Sequence, residues 1–208
     1  KDASTLANFK ETGCLVMKTD ANGHLEKHML NSKALDCPFE EWDAEIIGER
    51  LPIYALDSFT PPRRMDDADF GKPNGKRLHG GVFWPNAGYV TDPALSSQNL
   101  AAAARRHGAT FEMGVEVTEI RQQSGKVTGV TLSNDETISA PVVINVAGPG
   151  SAHINALAGV DGDMAIKTRP LRQEVVHVPA PEGFDFEHNG TIVSDSDIAC
   201  YCRPEHGN

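Results

Sequence analysis

Long apolar runs are absent from this chain. None approaches the ~20 residues that a helix needs to cross a bilayer, and the polar start from Lys1 to Lys10 lacks the apolar core of a secretory signal. A cytoplasmic chain with no membrane partner is therefore expected. Positive charge is also scarce: 19 Lys and Arg stand against 29 Asp and Glu, for a formal net charge of −10. Binding to phosphates rests on clustered Lys and Arg. The one basic cluster of note, Lys167, Arg169 and Arg172, is too small for a nucleic-acid surface, so the acidic balance reads as a solubility feature. Cysteine is limited to Cys14, Cys37, Cys200 and Cys202, with no C-x-x-C among them. Zinc sites favour other spacings. Free thiols that pack as small hydrophobes in a reducing compartment are expected instead.

Several catalytic signatures are missing as well. The chain contains no G-x-G-x-x-G and no G-x-x-x-x-G-K-[ST]. It also lacks G-x-S-x-G and H-E-x-x-H. Its eight histidines are scattered, with no pair at a metal-binding spacing. Hydrolase and metalloenzyme readings thus have no positive feature.

What remains is a sequence of 208 residues, 39% hydrophobic and 23% charged, which suits one large or two small domains with a real core. It has no internal repeat and no low-complexity tract. Asp92-Pro93 supplies a cap and a favourable first helical residue. A helix is predicted from there to about His107, with Leu95, Leu100, Ala103 and Ala104 as its apolar side and Gly108 ending it. His107 reads as a helix-end residue suited to the negative end of the dipole.

Short strands are predicted next, at Ala109–Met113, Val115–Ile120, Val127–Leu132 and Thr137–Ala140, with turns at Ser124-Gly125 and Asn134-Asp135. Val142 to Val146 is nearly continuous in apolar residues and reads as a strand buried on both faces. It enters Ala147-Gly148-Pro149-Gly150-Ser151, where glycines allow close approach of a ligand, before a short helix from Ala152 to Ala158. Elsewhere a strand is predicted over Gly13–Lys18, a helix over Pro38–Leu51 and a long loop over Asp57–Lys76. A further strand is predicted over Pro170–Val178. Thr191–Ser194 and Ile198–Arg203 should form a hairpin around Asp195-Ser196-Asp197. The turn-like Pro204-Glu205-His206-Gly207 leaves that hairpin without a next strand, as expected of a truncated sequence.

One stretch carries a family resemblance. His79-Gly80-Gly81-Val82-Phe83-Trp84-Pro85-Asn86-Ala87-Gly88-Tyr89-Val90-Thr91-Asp92-Pro93 resembles the D-amino-acid oxidase and sarcosine oxidase family of FAD enzymes. In that family a G-G-x-x-x-P-x-x-G-x-x-D-P segment leads into a helix that ends in a Gly-Ala pair, here Gly108-Ala109. The similarity continues through Val115 to Ile120, Gly129-Val130 and Ala140 to Pro149. It extends to Arg169-Pro170-Leu171-Arg172-Gln173-Glu174 and Tyr201-Cys202-Arg203-Pro204.

The resemblance implies FAD as cofactor and a small amine or amino acid as substrate. The reaction it implies is transfer of a hydride from a C–H next to nitrogen to flavin N5. It places Val117 where the backbone meets adenine, and Ala147 and Gly148 beside the adenosine and pyrophosphate, with Pro149, Gly150 and Ser151 next to them. Tyr89, Trp84 and Arg203 are expected toward the substrate cavity, and Arg172 toward cofactor or substrate. No catalytic acid or base is assigned.

The implied fold is α/β: part of a doubly wound FAD-binding domain with a small β-meander, plus an antiparallel substrate-domain sheet. Residues 1–90 and 161–208 are expected on the substrate side and 91–160 on the FAD side. The family's G-x-G-x-x-G unit and the segment carrying its substrate-carboxylate arginine are missing, so these residues alone are expected to bind FAD weakly and not to turn over. Three alternatives stay open. They are an FAD-dependent glycerol-phosphate or 2-hydroxy-acid dehydrogenase, a non-catalytic module or partner subunit, and a domain fragment with no activity of its own. A homo-oligomer or a partner subunit is a further open alternative.

Overall fold

The structure, a computed structural model, describes residues 7–205; His206 and Gly207 of the expected last turn lie outside them. In chain order the elements are β1 (Phe9–Glu11), β2 (Cys14–Met17), α1 (Leu25–Ala34), β3 (Glu40–Asp43), α2 (Ala44–Arg50), β4 (Gly80–Trp84), β5 (Gly88–Val90) and α3 (Pro93–Arg106). They continue as β6 (Val117–Gln123), β7 (Lys126–Leu132), β8 (Thr137–Ser139), α4 (Ser151–Leu157), α5 (Phe186–Asn189), β9 (Ile192–Asp195) and β10 (Cys200–Cys202). The described residues divide into two compact units, one of residues 7–104 with 177–205 and one of residues 105–176.

The first unit is built on a five-stranded sheet of order β10-β9-β2-β4-β3. Its pairs are antiparallel except β2 with β9, which run parallel. The sheet is therefore mixed rather than purely antiparallel, because β9 arrives from a distant part of the chain. Alternation along β2 explains its two faces. Leu15 and Met17 are buried, whereas Cys14 and Val16 are half-buried. Leu15 lies opposite Phe83 and Val193, and Trp42 is in register with Gly81 on the same face. Together with Ile47, Leu51, Leu56 and Leu78 these residues make the core. Fully burying one such leucine stabilises the fold by about 1.5–3 kcal/mol.

The helix predicted over Pro38–Leu51 is half strand. Glu40–Asp43 pairs with β4, and the Trp42 ring stacks on Phe83 at 4.1 Å between centroids. That tertiary contact outweighs helix propensity. Asp43 then caps α2, its Oδ1 accepting from the N–H of Glu45 (3.0 Å) and Ile46 (2.9 Å). Helix α1 was not legible in the sequence. Its start at His24 has no side-chain cap, and only Leu25, Met29 and Ser32 turn inward, at i, i+4 and i+7. Helix α3 has the expected bounds, but Leu100, expected on its apolar side, is 72% exposed. Asp92 Oδ1 accepts from the N–H of Ala94 (2.8 Å) and Leu95 (3.2 Å), although no residue of this helix is fully buried.

The second unit is a three-stranded antiparallel meander, β6-β7-β8, with α4 packed on β6. Ser124 and Gly125 both have positive φ (52° and 74°), the geometry of a two-residue hairpin turn. Asp135 (φ 66°) closes the second turn. Gly129 sits where a Cβ would fall on the Ile138 carbonyl oxygen, so that close approach of β7 to β8 requires glycine.

Three predicted strands are not strands. Ala109–Met113 is irregular, since Gly108 (φ 88°) and Gly114 (φ 73°) turn the chain at both its ends. Val142–Val146 is unpaired and not buried on both faces: Val142, Ile144 and Val146 are 69%, 77% and 85% exposed. Among the described residues no strand pairs with this run. Pro170–Val178 is likewise irregular and exposed.

Candidate functional site

In the second unit the glycine-rich turn is organised by Asn145. Its Nδ2 donates to the Ser151 carbonyl (2.9 Å) and to Asn155 Oδ1 (2.7 Å), while its Oδ1 accepts from the Ala147 N–H (3.1 Å). This side chain folds the end of the apolar run back onto α4. Gly148 adopts φ 53° and leads into a single 3₁₀ turn, Gly148–Gly150, directly before Ser151. Ala147, Gly148 and Pro149 are exposed and Ser151 is half-buried. A Cβ built on Gly148 meets nothing within 4 Å. The turn therefore presents a small, open backbone surface.

Val117 begins β6, half-buried and opposite Leu132. β6 carries α4: Gln122 Nε2 donates to the Ala158 carbonyl at 2.8 Å. The same compact unit thus holds the Val117 strand and the turn in one packed arrangement. Arg172 lies on the irregular, exposed stretch of this unit and pairs with Glu174 at 3.1 Å. It contacts none of the other residues singled out in the sequence, and a surface pair of this kind adds little stability.

In the first unit, the face of the sheet away from the core carries Cys14, Val16, Val82 and Trp84, followed through the register by Ile192, Ser194 and Tyr201. Helix α1 covers part of it, and the Trp84 indole donates to Ser32 Oγ at 2.9 Å. Between helix and sheet lies an open cavity of about 550 Å³, lined by Val16, Leu25, Leu35, Cys37, His28 and Trp84 among others. That volume and mainly apolar lining suit a small organic ligand. Tyr89 and Arg203 are brought together: the guanidinium lies 4.4 Å from the ring centroid. Arg203 also pairs with Glu205 at 2.8 Å. Tyr89 is 8% exposed, and its buried hydroxyl has no hydrogen-bond partner.

Behind the β9–β10 turn sits a polar network that sequence reasoning missed, because its members are scattered from position 54 to position 197. Asp197 is 1% exposed. It accepts from Ser58 Oγ at 2.9 Å, and also from the Phe59 N–H and Thr60 Oγ1. Burial opposes ionisation of this carboxyl, yet the hydrogen bonds from Phe59, Thr60 and Ser58 together hold its pKa below the ordinary carboxylate value. Asp195 accepts from the Asp197 N–H (2.8 Å) and from the Tyr54 hydroxyl (2.6 Å). Burial, then the bond to Asp195 and its charge, push the Tyr54 phenol well above its usual pKa.

The cysteines differ from expectation. Cys37, Cys200 and Cys202 are exposed and Cys14 is half-buried, so they do not pack as core residues. Cys200 and Cys202 lie on the outermost strand and Cys37 lies past the end of α1. Among the described residues, no cluster of His, Cys, Asp or Glu could hold a metal ion. No helix among them is long and apolar enough to cross a membrane.

The profile of the family described as FAD dependent oxidoreductase matches residues 4–208, and the chain belongs to that family. A D-amino acid dehydrogenase of Xanthobacter autotrophicus is 32% identical over 69 residues, covering 33% of this chain and 16% of that protein. One from Methylobacterium nodulans is 35% identical over 57 residues, 27% of this chain and 14% of that protein. Glycine oxidase from Geobacillus kaustophilus superposes on 99% of this chain and 47% of its own, with TM-score 0.61 at 20% identity. L-Proline dehydrogenase from P. horikoshii covers 74% and 36%, with TM-score 0.54 at 20% identity. At such identities the structural likeness shows the fold alone. The chain spans less than half the length of each of these relatives.

The turn at Ala147–Pro149 leaves its backbone open to a ligand. No glycine-rich fingerprint for the pyrophosphate occurs in the sequence.

Proposed function

We propose that this chain is the substrate side and part of the adenosine side of an enzyme that oxidises a small amine or amino acid at a C–N bond. The observation that carries this reading is the family match over residues 4–208. When bound, FAD supplies the acceptor for the hydride. Val117, Ala147, Gly148, Pro149 and Ser151 serve the adenosine end by backbone contact, an assignment supported by their common unit and by the open turn. Residues 1–90 and 161–208 serve the substrate and 91–160 the cofactor.

On the substrate side, the apolar wall of Val16, Leu25 and Trp84 holds the carbon skeleton. Tyr89 and Arg203 serve the substrate side together, a placement supported by their 4.4 Å stacking. Arg172 and Arg203 are both weak substrate contacts, since each already pairs with a glutamate, Glu174 and Glu205 respectively. Location is read as cytoplasmic, supported by four free cysteines of which three are exposed. A homo-oligomer or a partner subunit is compatible with the exposed apolar run at Val142–Val146.

The test is the visible spectrum of the intact protein that contains this sequence, titrated without oxygen by amines, D-amino acids and 2-hydroxy acids. Flavin bands bleached by an amine or amino acid are expected. Bleaching by hydroxy acids alone would shift the substrate class, and a protein that FAD cannot colour would overturn the reading.

A further inference from the structure

A second cleft opens on the opposite, core-side face of the five-stranded sheet. Its volume is about 350 Å³, the lower end of the range of small-molecule sites. The stacked rings of Trp42 and Phe83 form its floor. Arg50, in the last turn of α2, stands on one side, and Glu187 and His188 of α5 stand on another. Glu40 and Glu11 complete the charged rim.

Two features separate this cleft from the cavity under α1. Glu40, Trp42 and Phe83 share one face of the sheet through the register, whereas Val16 and Trp84 lie on the other. The chemistry also differs, since this cleft is lined by charges of both signs around an aromatic floor.

We propose that this cleft binds a small zwitterion of the amino-acid class, with its carboxylate toward Arg50 and His188 and its ammonium toward the glutamates. Arg50 makes no ion pair among the described residues, so its guanidinium is available. One Glu40 oxygen is fixed by the Trp42 indole N–H at 2.8 Å, which leaves the other to accept from an ammonium. Asp185, bonded to His188 Nδ1 at 2.9 Å, favours the charged imidazole and holds it in place. A purely anionic ligand would meet three carboxylates, and a purely cationic one would meet Arg50 and His188. A zwitterion with a compact apolar ring satisfies both sets and rests on the aromatic floor.

The site needs no flavin, so it stands or falls apart from the proposed redox activity. The experiment uses the 208-residue chain carrying Trp84→Phe, in which Trp42 is the only remaining indole. L-Proline is titrated against its two half-charged relatives, pyrrolidine and cyclopentanecarboxylate, and tryptophan emission is read. Saturable binding of proline, on the order of millimolar, is expected, with both relatives at least about tenfold weaker. Arg50→Gln and Glu40→Gln, each checked for folding by circular dichroism, should each weaken proline about tenfold or more. Glu40→Gln keeps an acceptor for the indole, so a fold defect would not mimic the result. No saturable response to ~100 mM, equal binding of either relative, or unchanged affinity in both charge variants would overturn the proposal.

Discussion

Replacing Asp197 by Asn tests whether the polar network behind the β9–β10 turn holds the first unit together. The carboxylate is buried and receives three donors, Ser58 Oγ, the Phe59 N–H and Thr60 Oγ1. Hydrogen bonds to a charged acceptor contribute about 1.5–3 kcal/mol each. Asn keeps one acceptor oxygen but turns an N–H₂ group toward the remaining donors. A loss of about 2–4 kcal/mol is therefore expected at pH 7, lowering the melting temperature by roughly 5–15 °C.

The pH dependence has a definite sign. The folded pKa of Asp197 lies below its unfolded value, so its stabilisation is fully present above the ordinary carboxylate pKa of about 3.9 and is lost as pH falls through the folded value. Urea denaturation of wild type and Asp197→Asn between pH 7 and pH 3 reads both effects. The gap between the two should be constant at the upper end and narrow below about pH 4. A gap under about 0.5 kcal/mol at pH 7, or one that widens in acid, would refute the reasoning.

Tyr54→Phe removes the hydroxyl that donates to Asp195, and should cost about 1 kcal/mol. Because the folded pKa of Tyr54 is raised, the stability this group contributes is present below about pH 10 and lost as pH rises. Gly129→Ala drives a methyl into the Ile138 carbonyl and should destabilise the meander by about 2–4 kcal/mol, seen as a lower urea midpoint. The 208-residue chain should be colourless as purified and leave the anisotropy of added FAD unchanged, since it lacks a glycine-rich pyrophosphate loop.

What could be read in the sequence divides by the range of the forces involved. Helix α3 was legible because Asp92, Pro93 and Gly108 are local signals for its start and stop. The meander was legible for the same reason: Ser124-Gly125 and Asn134-Asp135 fix its turns without outside help. β3 was misread, because only the distant Phe83 and β4 hold Trp42 extended. Val142–Val146 was misread in the opposite sense: its composition calls for neighbours on both faces, and no described strand supplies them. In the candidate site, the turn at Ala147–Ser151 was visible from its glycines, but Asn145 as its organiser was not. The pairing of Tyr89 with Arg203 joins residues 114 apart in sequence (203 − 89) and could be expected only as a shared destination.

The exposed run from Val142 to Val146 also bears on how this chain behaves in concentrated solution. Val142, Val143, Ile144 and Val146 are β-branched, no described strand pairs with them, and there is no charge within the five positions. Such a segment is a template for pairing between molecules. Pro141 before it and Gly148-Pro149 after it act as gatekeepers that keep the template short. Light scattering during storage should therefore depend more on a charge placed at Ile144 than on any change in the well-packed core, and Ile144→Lys is the substitution expected to keep the chain dispersed.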